Sequence, residues 1–344
     1  MKKGIFVFIF LFLFFYMGCP CPVFAEEKVE LKVSHFWPPT SAQHELLLKW
    51  KKKLEDESKG KLSLRIFPGG TLLKQTIEWE GLNKGVADIV YGIRLETAGR
   101  EFSEKMVIFT YGAKKASVGG RLMYDVFNQF QAYRDEWKTV KVLWLAAAGP
   151  NQIHTKAKPI RKLEDLKGMQ LRTAPGAGLE LVRTLGASPV TMPMSETFMA
   201  IQKGTVEGCL GPADILKNFR LDEVTKYTTN ANLWVLLGHY VAMNTNSYNN
   251  LPSELKNIID NSMKWGREET WKMYDSIDEE SINYAKRKGH TFMDLSSDEM
   301  TRWYSVIKPL QDKIAAELDA NGYPGTKLKD FLIQRVKYYS GEGK

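Results

Sequence analysis

The chain has 344 residues and carries 48 Lys and Arg against 40 Asp and Glu, which gives a formal net charge of +8. A chain of this length exceeds what a single hydrophobic core usually serves, so we expect two domains. The longest basic run, 51–53, continues into the acidic run 55–57 on one predicted helix. A solvated helix face explains this pattern better than nucleic-acid binding, which we therefore do not expect.

The N-terminal segment has the pattern of a secretory signal peptide. Lys2 and Lys3 precede an apolar run over 5–17, and Ala25 supplies the small residue that a cleavage site requires. The run is too short to cross a membrane, because a spanning helix needs about 20 apolar residues. We predict that residues 1–25 are removed during export.

The cysteines leave one alternative open at this end of the chain. Lipid attachment at Cys19 would tether the protein to a membrane, but Tyr16 and Met17 fit a lipoprotein motif poorly. Cleavage after residue 25 removes Cys19 and Cys21, so that Cys209 alone remains. The mature chain then forms no intramolecular disulfide, and its stability must come from burial.

The first elements of the mature chain alternate between strands and helices. Apolar residues alternate over 29–33 and 62–66, which predicts two strands separated by a helix at about 41–58. A second helix at about 72–84 and a strand at 87–91 complete a β-α-β-α-β order. This order predicts a doubly wound α/β domain.

The same order recurs in the second half of the chain. It comprises predicted strands at 152–155, 169–172, 189–191 and 206–210, with helices at 179–185 and 195–203. The stretch from 252 to about 289 then reads as one helix of roughly 38 residues, which would span about 57 Å. A helix of that length is long enough to cross both domains.

Arg172 is the leading candidate for a functional residue. It ends a predicted strand just before a Gly/Pro-rich turn at 173–178. In open α/β sheets, ligands bind at the carboxyl ends of the strands. A guanidinium there suits bidentate capture of a carboxylate, although the position alone fits a surface ion pair equally well.

Several short motifs around Arg172 carry a more specific signal. They are EDLKG at 164–168, LR at 171–172, GASPV at 186–190, MP at 192–193 and AIQKGTVEG at 200–208. The ordered set resembles the signature of TRAP-type (tripartite ATP-independent periplasmic) solute-binding proteins, the DctP-like family. The resemblance extends over the mature chain.

The resemblance implies an α/β fold of the two-domain, type-II-like periplasmic binding protein class, with a ligand cleft between the domains and the long helix bracing both. The chain would cross between domains near Ala148, near His239 and within that helix. Domain I would comprise 26–148 and about 239–277, and domain II would comprise 149–238 and about 278–344.

Two segments of the first domain would face the cleft. His35 and Trp37 lie on the loop after the first strand, where aromatic side chains can line a pocket or pack on the following helix. Tyr91, Gly92 and Ile93 end another strand at the same edge. The family often places a polar side chain there, whereas Ile93 is apolar.

Four further positions are carried over from the family pattern. Asn151 stands where the best-studied members have a second arginine, Gly211 stands in place of an asparagine, and Met194 stands in place of a stacking aromatic. His239, at the second crossing, is a further candidate contact. The second cationic anchor is therefore expected to be missing, which favours a monocarboxylate with an apolar or aromatic body over an acidic sugar.

The resemblance implies a monomeric periplasmic protein that captures a small organic acid. It would deliver the acid to a membrane permease of one small and one large subunit. An ABC-type periplasmic binding protein is the alternative. An enzyme is less favoured, because the chain lacks G-x-S-x-G, H-E-x-x-H, a metal-spaced Cys/His set and a phosphate-binding glycine loop. We expect no cofactor and no metal.

Overall fold

The computed structural model describes residues 28–94, 100–174, 176, 178–235 and 238–341. The described strands are β1 (Val29–Ser34), β2 (Leu62–Phe67), β3 (Ile89–Ile93), β4 (Val140–Ala146), β5 (Gln152–Thr155), β6 (Gln170–Thr173), β7 (Ser188–Thr191), β8 (Gly208–Gly211), β9 (Tyr227–Asn230), β10 (His239–Asn244) and β11 (Thr291–Asp294). The predicted signal peptide lies outside the described residues.

The described helices surround these strands. They are α1 (Ala42–Glu57), α2 (Glu78–Asn83), α3 (Glu101–Met106), α4 (Ala116–Gln129), α5 (Gln131–Asp135), α6 (Gly178–Thr184), α7 (Met194–Lys203), α8 (Asp214–Asn218), α9 (Thr245–Asn249), α10 (Ser253–Arg287), α11 (Ser297–Ala320) and α12 (Gly325–Tyr339). Ser41 caps α1 by accepting a hydrogen bond from the backbone N–H of His44, as its position before an apolar-periodic run predicts.

The strands form two sheets. The first has the order β2-β1-β3-β10-β4, and the second has the order β11-β9-β5-β8-β6-β7. We call these sheets and the helices on them the first half and the second half. The chain returns to the first sheet in β10, which runs antiparallel to both β3 and β4. The fold is the predicted two-domain α/β periplasmic binding protein fold.

Helix α10 braces the two halves. It has 35 residues, which corresponds to about 52 Å at 1.5 Å per residue. It packs against α1, α4 and β4 of the first half and against α8 of the second. Its small buried residues permit close packing, since a Cβ on Gly266 would lie 2.7 Å from the Trp144 ring.

The C-terminal segment contacts both halves. Strand β11 joins the edge of the second sheet beside β9, whereas α12 packs on α3 and α4 of the first half. The predicted helix at 72–84 is shorter than expected, because a 3-10 turn at Gln75–Ile77 precedes α2. The domain boundaries given above remain predictions.

Candidate ligand-binding site

A cavity of about 280 Å³ lies between the two halves. Its wall includes seven of the ten predicted site residues: Trp37, Ile93, Asn151, Arg172, Met194, Gly211 and His239. The wall is mainly apolar, with a small number of polar and charged groups, which is the usual character of a small-molecule site.

Arg172 is held in the wall by its own backbone neighbourhood. It is the third residue of β6, between β7 and β8, and only 4% of its surface is exposed. Nε and Nη2 donate to the backbone carbonyl of Met192 at 3.1 and 2.8 Å. This contact fixes one edge of the planar guanidinium and leaves the Nη1 end free of any acceptor within the described part of the chain.

The charge of Arg172 has no protein counter-ion among the described residues. Burial lowers its pKa to about 10, so the guanidinium remains protonated at neutral pH. The neighbouring thiol of Cys209 has its pKa raised to about 12 by burial and therefore stays neutral. A buried cation without a paired anion is costly, and an anionic ligand in the cavity would offset that cost.

Aromatic side chains form one side of the cavity. Trp37 stacks on Phe36 with ring centroids 4.1 Å apart and lies nearly parallel to His239 at 5.9 Å. His239 in turn meets the edge of Tyr274, which α10 contributes, at 5.2 Å. Phe219 and Trp234 extend this surface on the second half. Rings arranged in this way present apolar faces to a ligand.

Three other predicted contacts line the cavity mainly through backbone and apolar groups. The backbone N–H of Asn151 donates to Trp234 at 2.6 Å, and its side-chain amide lies 3.4 Å from the same carbonyl. A Cβ on Gly211 would lie 2.4 Å from Cδ1 of Ile215, so a larger residue at this position would require the Ile215 side chain to shift. Met194 opens α7 beside the Met192 carbonyl region that holds Arg172.

The structure does not bring His35, Tyr91 and Gly92 to the cavity wall. His35 is buried and hydrogen-bonds His44 at 3.0 Å, and burial lowers its pKa to about 3. Tyr91 lies under Trp37 with ring centroids 4.6 Å apart. Gly92 faces α2, where a Cβ would meet Glu78 at 2.8 Å. These residues lie behind the side chains that line the cavity. The geometry gives no basis for direct contact between any of them and a ligand.

Two arginines outside the predicted set belong to the cavity lining, and neither occupies the position of the family's second anchor. Arg94 and Arg100, both from the first half, line the cavity. Arg94 is 4% exposed, and its Nη1 donates to the Glu136 backbone carbonyl at 2.5 Å. Its guanidinium carbon lies 4.0 Å from the ring centroid of Trp79 and 4.9 Å from that of Trp137. The expectation of a missing second anchor concerned only position 151, where the best-studied members have an arginine. Arg94 instead directly follows β3, at the sheet edge that Ile93 also reaches.

Acidic groups also reach the wall without having been predicted. Glu104 of α3 lies beside Gly176 of the second half, where it would be 3.5 Å from an added Cβ. Asp214 begins α8 and also lines the cavity. No group of three or more metal-ligating side chains occurs in the part of the chain that the structure describes. Within the same residues, no helix is both long and apolar enough to span a bilayer.

Comparison with known proteins agrees with this architecture. The family model for bacterial extracellular solute-binding protein, family 7 (DctP), matches residues 33–318. The C4-dicarboxylate-binding periplasmic protein DctP of Rhodobacter capsulatus is 22% identical over 309 residues, covering 88% of this chain and 91% of that protein.

Two solved structures are similar over nearly the whole fold. A TRAP periplasmic solute-binding protein from Desulfovibrio salexigens is 29% identical with a TM-score of 0.77, and the match covers 92% of this chain and 98% of that one. A marine metagenome TRAP solute-binding protein specific for aromatic acid ligands is 25% identical with a TM-score of 0.82, covering 91% and 99%. The chain belongs to the DctP family of TRAP-type periplasmic solute-binding proteins.

Proposed function

We propose that this protein captures a small organic acid in the cavity between its halves and binds the carboxylate through Arg172. The observation that carries the proposal is the buried guanidinium, which is fixed on the Met192 carbonyl and has no counter-ion among the described residues. A carboxylate on the Nη1 end would complete a charge-assisted pair in a low-dielectric site.

The ligand proposed here is a monocarboxylate with an apolar or aromatic body. The stacked pair Phe36 and Trp37, together with Phe219 and Trp234, offers apolar ring faces around a cavity of about 280 Å³. The metagenome relative specific for aromatic acid ligands was crystallised with 3-hydroxybenzoate. That relative supports an aromatic acid as the first class to test.

The mature protein would act in the periplasm, after removal of residues 1–25. It would deliver the acid to a membrane permease of one small and one large integral subunit. Transport of this type is driven by an ion gradient, so no nucleotide site is required of this chain. We further propose that the protein is a monomer and is not an enzyme.

A ligand screen tests the proposal. Purified mature protein is heated with benzoate, phenylacetate, aliphatic monocarboxylates, dicarboxylates and keto acids, and hits are titrated by calorimetry. A true ligand at 100 times its dissociation constant should add about 2.7 kcal/mol to the free energy of unfolding. Mass spectrometry of each incubated acid completes the experiment, because conversion of the acid would indicate an enzyme instead. Failure of every acid to bind would overturn the proposed function.

A further inference from the structure

One carboxyl group in the cavity wall has an unused acceptor atom. Asp214 is 3% exposed, and its Oδ2 accepts hydrogen bonds from Asn218 at 3.0 Å and from Gln43 at 3.5 Å. Its Oδ1 is buried and has no hydrogen-bond partner among the described residues. Buried polar atoms in native proteins are nearly always paired. A hydrogen-bond donor on a bound ligand would supply the partner that Oδ1 lacks.

The groups around Asp214 leave its Oδ1 able to accept a hydrogen bond. Its backbone N–H donates to Oδ1 of Asp278 at 3.0 Å, and Asp278 comes from the brace helix α10. Burial raises the pKa of Asp214 to about 6, and burial together with repulsion from Asp214 raises the pKa of Asp278 well above its usual range. A carboxyl oxygen keeps acceptor capacity in either protonation state, so Oδ1 of Asp214 can accept a hydrogen bond from a ligand.

Asp214 also lies where the two halves meet. Gln43 belongs to α1 of the first half, whereas Asp214 begins α8 of the second, and Tyr274 of α10 lines the same wall. Asp214 forms no ion pair with a described lysine or arginine. A second carboxylate on the ligand would be repelled at this point, whereas a hydroxyl or N–H group would be bound.

We propose that Asp214 accepts a hydrogen bond from a donor group on the bound acid, so that the ligand carries a hydroxyl or N–H group in addition to its carboxylate. This proposal rests on the proposed function, because it assumes an acid in the cavity. It assigns Asp214 a role in specificity: Arg172 binds the feature common to all candidate acids, and Asp214 distinguishes among them. A hydrogen bond to a charged acceptor should improve affinity roughly 10- to 150-fold over the parent acid.

The test uses matched pairs of acids that differ by one hydroxyl. Calorimetry compares benzoate with 3-hydroxybenzoate and 4-hydroxybenzoate, and phenylacetate with mandelate and 3-hydroxyphenylacetate, each against wild type, Asp214→Ala and Asp214→Asn. We expect at least one hydroxylated acid to bind wild type ten times more tightly than its parent. Asp214→Ala should reduce that gain to within about threefold, so that a parent acid and its hydroxylated derivative bind this variant alike, and Asp214→Asn should retain part of the gain.

Asp222→Asn is the matched control. Asp222 lies in the second half as well, its side chain is 2% exposed, and its Oδ2 lies 3.6 Å from Nζ of Lys288. It does not line the cavity, so the hydroxyl gain should persist in this variant. The proposal is overturned if no hydroxylated acid binds more tightly than its parent, or if the gain survives in a folded Asp214→Ala. Parent acids that bind but no longer depend on Arg172 would contradict the proposed function instead.

Discussion

Replacing Arg172 with Met should weaken binding of the carboxylate more than any other single change in the cavity. Methionine keeps much of the side-chain volume but removes the charge and all five donors. Removing one partner of a buried charge pair typically costs 2–5 kcal/mol, because the other charge is left desolvated. At about 1.4 kcal/mol per decade this corresponds to a loss of roughly 30-fold to several thousand-fold in affinity.

The same substitution should change the stability of the unliganded protein little. It removes two hydrogen bonds to the Met192 carbonyl, but it also removes a buried positive charge without a counter-ion. These effects have opposite signs, so we expect the free energy of unfolding to change by about 1 kcal/mol or less. Arg172→Lys should recover only part of the affinity, since an ammonium group cannot hold the carbonyl and present a planar fork at once.

Calorimetric titration with the best acid from the screen measures the effect. Arg183→Met is the control, because Arg183 lies exposed on α6 of the same half and should bind the acid like wild type. An Arg172→Met affinity within about threefold of wild type, a change of under roughly 1 kcal/mol, would mean that this arginine is structural. This result would refute the assignment of Arg172 on β6 as the residue that binds the ligand carboxylate.

Three further predictions concern closure, processing and acid stability. The brace helix α10 and the cavity between the halves predict that ligand binding closes a hinge. Small-angle scattering should therefore give a smaller radius of gyration for ligand-saturated protein than for free protein. Equal radii, with binding confirmed independently, would exclude hinge closure. N-terminal sequencing of the exported protein should begin at Glu26, whereas a lipid-modified Cys19 would favour membrane tethering. Burial lowers the pKa of His154 to about 4 in the folded protein, whereas the unfolded chain takes up this proton below about pH 6.5. The free energy of unfolding should therefore fall as the pH drops from about 6.5 toward 4, by at most about 1.4 kcal/mol per pH unit. In urea titrations from pH 7.5 to 4.5, His154→Gln should show a shallower fall; an unchanged slope would mean that another group controls acid unfolding.

The sequence predicts those parts of the fold that depend on local periodicity. Alternation of apolar residues locates β1 and β2 almost to the residue, since alternate side chains of a strand point to the same face. The carboxyl end of β6 likewise predicts Arg172 at the ligand edge, because the rule depends on strand direction and not on the rest of the fold. The boundaries of α2 were predicted less well, since a 3-10 turn and a helix share the same apolar spacing.

The remaining site residues depend on tertiary contacts that periodicity cannot report. His35 and Trp37 are two residues apart on one loop, yet Trp37 lines the cavity while His35 is turned toward His44. Arg94 belongs to the cavity lining, although Trp79 and Trp137, from distant parts of the chain, hold its guanidinium and do not line the cavity themselves. A search for arginines directly after predicted strands would have found it. No comparable signal marks an acid such as Asp214.

The brace helix connects the specificity of the site to its closure. Tyr274 and Asp278 lie one turn apart on α10; the first lines the cavity and the second accepts a hydrogen bond from Asp214 in the second half. The same helix packs on α1 of the first half, which contributes Gln43 to the Asp214 carboxylate. Arg172 and Asp214 both belong to the second half, so a ligand must also contact the first half, for example at Trp37, to hold the two halves together. Since a ligand shifts a conformational equilibrium only by its differential affinity for the two states, acids that contact Trp37 of the first half as well as Arg172 should close the protein more completely than acids that engage Arg172 alone.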